Sequence, residues 1–515
     1  MSSRAVAVAA PSEAAAEAGR EMTAAGGNAV DAALAASLVT MVNEPGIVSL
    51  GSGCFVTVQP SDGGAAVTID GWAEMPGRGL APQRFGQSTW QISTEYGGGV
   101  TMTIGPGSVA VPGTVAAFAA AHEQWGCVAW RDVFAPAISI ARGGFKLGVA
   151  SRYYLEFVHD LVYGWDEASS AVLHEADGGL IPPGQDIHLA DLVDTLETLA
   201  DQGPEVFYRG DIAAAMAADV LERGGILTRE DLAAYRPETR TALPARVGDW
   251  LMATNPPPSI GGATVAAMLR LLDGHPRGSW TRDDTRLLVD VQHKILLHRV
   301  RHLEATDELD SEVRRLLDLT EAADSKQVWS PSTTHVSAAD TEGTACAVTV
   351  SSGYGSGMLA AGTGVWLNNC LGEPELNARG LHGLPPGTRL ISNMAPSVAR
   401  RADGAVLALG SPGADRITTA IVQAMAGIAG GMSLQEAIDH PRAHVRINRS
   451  DPALPAVLDF ELGFPMPEDM PLPTYEMPLH SMYFGGVTAA AYEPTGGLAA
   501  AADPRRTGAV AIGGV

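Results

Sequence analysis

The rhythm of hydrophobic and polar positions changes near residue 325. Before that point apolar residues recur mostly at spacings of three and four, as in helices that bury one face. Just after it they alternate, as in strands. Residues 11–43 read as two alanine-rich helices split by Gly26-Gly27-Asn28, with Asn28 as N-cap and Asp31 in the first turn of the second. GCFVTVQ at 53–59 and AAVTIDGWAEMP at 65–76 are rich in β-branched residues, and the Pro-Ser-Asp-Gly-Gly stretch between them predicts a hairpin. Helical spacing returns at 113–145 and 189–235, with Gly143-Gly144 and Gly224-Gly225 at helix ends. NPPPSIGG at 255–262 is a rigid turn ahead of another helix; 280–324 is the longest helical region, and 324–332 breaks it. Beyond Thr333, THVSAAD and TACAVTVSS alternate around a Thr341-Glu342-Gly343 turn, and GAVLALGSPG at 404–413 is a strand ending in a glycine turn.

Composition narrows the class. The chain of 515 residues is long enough for several domains or for one large layered unit, and it shows neither a repeat of solenoid period nor a low-complexity linker. With 46% hydrophobic and 18% charged residues and a mean hydropathy of +0.08, it is a globular chain able to build a core. A formal charge of −24 repels phosphate backbones and anionic lipid, so nucleic-acid and membrane partners are not expected. Cys54, Cys127, Cys346 and Cys370 lie far apart with no CxxC and no His at ligand spacing, so structural thiols are expected and neither a metal site nor a disulfide framework. The first residues carry one Arg and a five-residue apolar run, shorter than an export signal needs, and the expected compartment is the cytoplasm.

Glycine motifs do not change this picture. GSG at 51–53 and GYGSG at 353–357 lack the GK[ST] of a phosphate loop and the spacing of a dinucleotide fingerprint, and no GxSxG elbow stands between a strand and a helix. No cofactor is implied. The chemistry is carried by SPSTTHVSAAD, 330–340. A Thr-Thr pair opening a strand is ordinary β-propensity when taken alone. A hydroxyl residue at the start of a central strand, behind a loop that can be cut, is also what an N-terminal nucleophile requires. Cleavage frees an α-amine about 3 Å from its own Oγ, with a pKa near about 8, so one residue supplies both nucleophile and base.

At this point the sequence resembles the γ-glutamyltranspeptidases of the N-terminal-nucleophile hydrolase superfamily. The matching segments run in order along nearly the whole chain: GGNAVDAA (26–33), VPGT (111–114), PAISIARGGF (136–145), FYRGDIA (207–213), GGILTREDLAAY (224–235), PPPSIGG (256–262), TTHVSAAD (333–340), GVWLNN (364–369), GSPG (410–413), PRAH (441–444), FGGV (484–487) and DPRRTG (503–508). The resemblance implies an α+β fold, a four-layer αββα sandwich, made as a precursor that cuts itself between Ser332 and Thr333. Residues 1–332 and 333–515 would then remain together as a heterodimer of the chain's own fragments, open to further oligomerisation, with a small molecule as substrate. It also implies roles. Thr333 is the nucleophile, Ser351 stands at the second hydroxyl position that orients it, and Gly413 with Ala414 occupy the paired-glycine position whose N–H groups face the oxyanion. Thr334 and His335 follow the nucleophile, His335 either as a buried support or in direct catalysis. Glu373 could bind a substrate amine, and Ser392 and Asn393 stand at the family's serine pair.

The departures concern the substrate. Where members that bind glutathione carry an arginine for the donor carboxylate, in a D-x-R-E-like segment, this chain has DGWAEMPGR, with Trp72-Ala73 at that place. Arg78 could replace it only in a reshaped loop. Gly353 stands where Asn is usual, and the stretch after Asn368-Asn369 lacks the long lid loop. Similar homologues include acylases acting on other amides, and enzymes of bacterial antibiotic pathways that make 4-alkyl-proline units by cleaving a carbon–carbon bond beside a carbonyl. The expected function is therefore a self-processing Thr hydrolase acting on a carbonyl substrate other than glutathione. The alternatives are a γ-glutamyl amide hydrolase or transpeptidase that uses Arg78, and an inactive scaffold paralogue.

Overall fold

The computed structural model describes residues 4–96, 99–274, 280–304, 306–318, 332–374, 376–448 and 455–514, with Ser332 described by its main chain. The expected end of the helical region and the break after it fall at 319–331, outside the described residues.

Two antiparallel sheets lie face to face. The first has seven strands in the order Ala509–Gly514, Ala5–Ala10, Ser332–Asp340, Ala345–Gly353, Gly53–Gln59, Val67–Gly71 and Glu238–Thr241. The second has six: Gly497–Ala502, Thr488–Glu493, Val406–Gly410, Ser397–Arg400, Trp250–Thr254 and Leu243–Val247. Both sheets combine strands from before and after residue 333, interleaved in the first and set side by side in the second, so neither part of the chain owns a sheet. The expected hairpins at 53–76 and 333–352 are present, the second strand of the first being confined to Val67–Gly71.

Strand alternation separates three packing layers. Val6, Val8, Val336, Ala338, Cys346 and Val348 face outward into one core with the helix Ala29–Asn43, every residue of which is buried. The intervening residues Ala7, Ala339, Ala345 and Ala347 face inward against Val398, Ala408 and Ala490 of the second sheet. Small side chains here let the two sheets approach closely. The outer face of the second sheet is covered by Ile260–Leu272, Arg282–His298 and Arg416–Ala429. The result is helix, sheet, sheet, helix.

Local signals behave as their chemistry requires. Asn28 caps its helix through a reciprocal capping box with Asp31, and Ser259 caps the helix after the proline turn. The four cysteines are unpaired, and all but Cys127 are buried. No described helix is long and apolar enough to cross a membrane.

Candidate active site around Thr333

Thr333 is the second residue of a strand at the centre of the first sheet, and it is buried. Its alternation with Ala339 and with the outward-facing Val336 and Ala338 places Thr333, His335 and Ser337 on the face toward the second sheet. Opposite it the ladder is irregular. Thr334 pairs with Val350 and Ser332 with Gly353, so Ser351 and Ser352 together face Thr333 in a two-against-one bulge. Ser351 Oγ accepts the Gly353 N–H at 3.1 Å, and Ser352 Oγ lies 2.5 Å from Ser52 Oγ. Both sequence-predicted hydroxyl residues thus come together by strand pairing.

His335 is a support for this strand. Ser337 Oγ donates to the Thr488 carbonyl at 3.1 Å, so it accepts from His335 Nε2–H at 3.0 Å, while Nδ1 accepts from Thr349 Oγ1 at 2.7 Å. The tautomer follows from that network. Burial pushes the imidazole down to about 3, so it is neutral near pH 7. Its ring fills the space above Gly410, where a Cβ would lie 2.3 Å from the ring.

The strand Val406–Gly410 ends in the turn that carries Gly413 and Ala414, and the fourteen-residue helix Arg416–Ala429 follows. Gly413 has φ +122° and Ala414 φ +56°, a left-handed conformation uncommon for alanine. Among the described residues neither N–H donates to a protein acceptor. Two free N–H groups at a helix N-terminus form a place for developing negative charge. Pro412 and Thr333 line one cavity, which brings this turn beside the strand that carries Thr333.

On the substrate side the expected residues divide. Trp72, at the place of the missing arginine, is fully buried; its ring stacks on Phe55 at 6.2 Å and its indole N–H donates to the Ile391 carbonyl at 2.9 Å. It belongs to an apolar cluster with Met75, Cys370, Leu371 and Met394. Arg78 is held by Asp231, through its main-chain N–H at 3.0 Å and its guanidinium at 3.3 Å, and lies 3.6 Å from Glu74. Asp231 also accepts from Gly77 N–H at 2.7 Å, so the loop is pinned in place. Glu373 is buried, and its carboxylate reaches the space beside Gly353, where a Cβ would lie 2.8 Å from Oε1 and 2.4 Å from Asn369 Oδ1. Ser392 gives its carbonyl to the N–H groups of Ile260 and Gly261. Asn393 accepts from Arg299 Nη2 at 2.6 Å, and its Nδ2 is buried without a partner among the described residues. Thr334 lines the cavity beside Thr333.

Sequence reasoning did not single out four ionisable residues at the site: Glu44, Asp503 and Arg506, which line that cavity, and Arg299, which orients Asn393. Arg506 lies in the matched DPRRTG segment. No motif of spacing marks Glu44 or Arg299, because each reaches the site from the end of a helix in the outer layers.

Comparison with known proteins agrees with this geometry. The family model described as gamma-glutamyltranspeptidase matches residues 15–513. The glutathione hydrolase proenzyme of Escherichia coli is 29% identical over 478 residues, 85% of this chain and 80% of that protein. The acylase ACY 1 proenzyme of a Pseudomonas species is 28% identical over 530 residues, 96% of this chain and 92% of that one. The crystal structure of cephalosporin acylase from Bacillus halodurans superposes with a TM-score of 0.79 at 23% identity, covering 99% of this chain and 96% of that chain. That likeness establishes the fold, the α+β sandwich of N-terminal-nucleophile hydrolases. A hydroxyl residue opening a central strand, a second hydroxyl pair in the bulge facing it, a free N–H pair on the opposing sheet and a match over almost the full length agree on one conclusion: the chain belongs to the γ-glutamyltranspeptidase family, whose members are N-terminal-nucleophile hydrolases and transferases.

Proposed function

We propose that the chain cuts itself before Thr333 and then uses Thr333 on a carbonyl substrate that carries no γ-glutamyl α-carboxylate for an arginine to grip. Thr333 Oγ attacks the carbonyl carbon, the freed α-amine takes and returns the proton, Ser351 orients the threonine, and the Gly413 and Ala414 N–H groups hold the oxyanion. One such donor is typically worth about 3 to 4 kcal/mol of barrier. The fragments of 332 and 183 residues stay together, because strands of the one pair with strands of the other in both sheets.

The observation that carries the substrate reading is Trp72. Its buried indole, with the N–H spent on Ile391, fills the place of the carboxylate-binding arginine with apolar surface. Arg78 cannot serve instead without leaving Asp231. Acylase-type amide cleavage and cleavage of a carbon–carbon bond in 4-alkyl-proline-type antibiotic synthesis both suit a Thr nucleophile with an oxyanion site. The acylases among the relatives and structural neighbours favour a non-glutathione substrate of this kind.

Denaturing electrophoresis of purified protein should show the two fragments, and Thr333→Ala should remain one chain. A chromogenic γ-glutamyl anilide should not be turned over. A single full-length band from active wild type, or anilide turnover abolished by Arg78→Ala, would overturn the reading.

A further inference from the structure

The main chain of the nucleophile strand has one open edge. Asp340 N–H donates to Thr344 O, which turns residue 340 toward the strand Ala345–Gly353, while Thr341 N–H donates to Ala5 O on the other side. Because the direction alternates residue by residue, the N–H groups of residues 339, 337, 335 and 333 also face the Ala5–Ala10 strand. Ala7 and Ala9 pair with 339 and 337. The next partner would be Pro11, which has no N–H, and the chain turns there into the helix capped by Ser12. The nitrogen of the Ser332–Thr333 bond therefore faces away from Ser351, toward the place where the neighbouring strand has ended.

A cavity occupies that place. About 20 Å³ in volume, room for one water, it is lined by Thr333, Thr334 and His335 and by Pro11, Glu44 and Arg506, among others. Glu44 follows the last turn of the buried helix Ala29–Asn43 and is itself buried. One carboxyl oxygen accepts the Ser151 N–H at 2.6 Å; the other occupies space that Gly148 leaves open, where a Cβ would lie 1.9 Å away. Burial pushes this carboxyl up to about 8, against the opposing effects of the Ser151 N–H and Arg506. It carries a proton at neutral pH. The Arg506 Nε is buried without a partner among the described residues.

Resting on the self-cutting proposed above, we infer that Glu44 is the proton donor of that cut, acting through a water in this cavity on the nitrogen of Thr333. Thr333 Oγ adds to the Ser332 carbonyl carbon and the carbon–nitrogen bond breaks. The nitrogen gains one proton from Glu44 by way of the water and leaves as the α-amine. The proton lost by Oγ returns through the water to the Glu44 carboxylate. Water then adds to the resulting ester, its proton goes to Oγ as the carbon–Oγ bond breaks, and Ser332 is released as a carboxylic acid that ionises. Glu44 ends unchanged.

The other ionisable groups lining the cavity are Asp503, Arg506 and His335. Asp503 is bonded to Arg505 and Arg442, His335 is neutral, and the helix Val149–Val158 brings Ser151 and, within reach of Arg506, Tyr153. The appearance of the 183-residue fragment, followed by mass spectrometry during cell-free synthesis, tests the inference. In wild type the cut should slow about tenfold per pH unit above about pH 8, and Glu44→Gln at neutral pH should slow it at least about tenfold, with no such dependence. Glu44→Gln cutting at the wild-type rate would overturn the role of Glu44 while leaving the proposed function intact. Where that variant fails to fold, the wild-type profile decides alone, and a flat rate between about pH 6 and about pH 9 overturns the inference. A wild-type chain that never cuts would instead remove the proposed function itself.

Discussion

Ser351 stands opposite Thr333 in the running register of their strands, and the ladder then slips by one residue, setting Ser352 against the same partner. A regular pairing would leave one serine there. The bulge adds a second hydroxyl, Ser352, whose bond to Ser52 leaves Ser351 as the hydroxyl proposed to orient Thr333. Ser351→Ala should slow both self-cutting and turnover by roughly tenfold to a hundredfold, the cost of about 1 to 3 kcal/mol for a lost buried hydrogen bond. Ser351→Thr, which keeps the hydroxyl, should restore most of both. Fragment formation over time checks this without knowledge of the substrate.

Ala414 holds φ +56° beside the helix Arg416–Ala429. A left-handed alanine costs on the order of 1 kcal/mol, partly offset by the greater freedom glycine regains on unfolding. Ala414→Gly should therefore raise the thermal midpoint by a small amount and leave the oxyanion N–H in place. Scanning calorimetry should show that rise, with fragment formation at the wild-type rate. A lower midpoint would mean that the Ala414 methyl group packs better than its backbone is strained.

Gly353→Asn would restore the residue usual in the family. Asparagine tolerates the φ of +65° found here, so the obstacle is contact: its Cβ would meet Asn369 Oδ1 at 2.4 Å and the Glu373 carboxylate at 2.8 Å. The variant should lose roughly 1 to 3 kcal/mol of stability, measured by urea unfolding, as overpacking of a full site does. Replacing Glu373 by Ala in the same chain should recover part of that loss.

His335 and His444 are both buried, and burial pushes each from the usual 6.5 down to about 3. In the unfolded chain each takes up a proton near pH 6.5 that the folded protein refuses. Their contribution to stability is therefore fully present above about pH 6.5 and is lost as pH falls toward about 3. Urea midpoints should fall across that window, and His335→Gln should flatten part of the slope while lowering stability at pH 7 through loss of the bonds to Thr349 and Ser337.

How far the chain could be read depended on the range of the physics involved. Helix caps such as Asn28 with Asp31, and the hairpin around Thr341-Glu342-Gly343, were legible because their hydrogen bonds close within a few residues. Ala5–Ala10 reads in sequence only as a short apolar run. It is a strand because Ser332–Asp340 and Ala509–Gly514, both hundreds of residues away, pair with its two edges. TAAAYE and GLAAAA, at 488–493 and 497–502, have the alanine content of helices and are nevertheless paired strands, the first with Ala490 in the narrow space between the sheets.

The same division applies to the site. Sequence alone pointed to the strand that carries Thr333, the hydroxyl residue facing it, the glycine turn of the second sheet and the family, because these are carried by residue type and order along the chain. Only the tertiary structure decided that His335 is a neutral support, that Trp72 is buried with its indole N–H spent on Ile391, that Arg78 is taken by Asp231, and that Glu44 borders the cavity beside Thr333. Each of these depends on which distant side chain arrives at a given point and on how much water is excluded when it does. Burial and long-range pairing are properties of the packed chain and have no local signature.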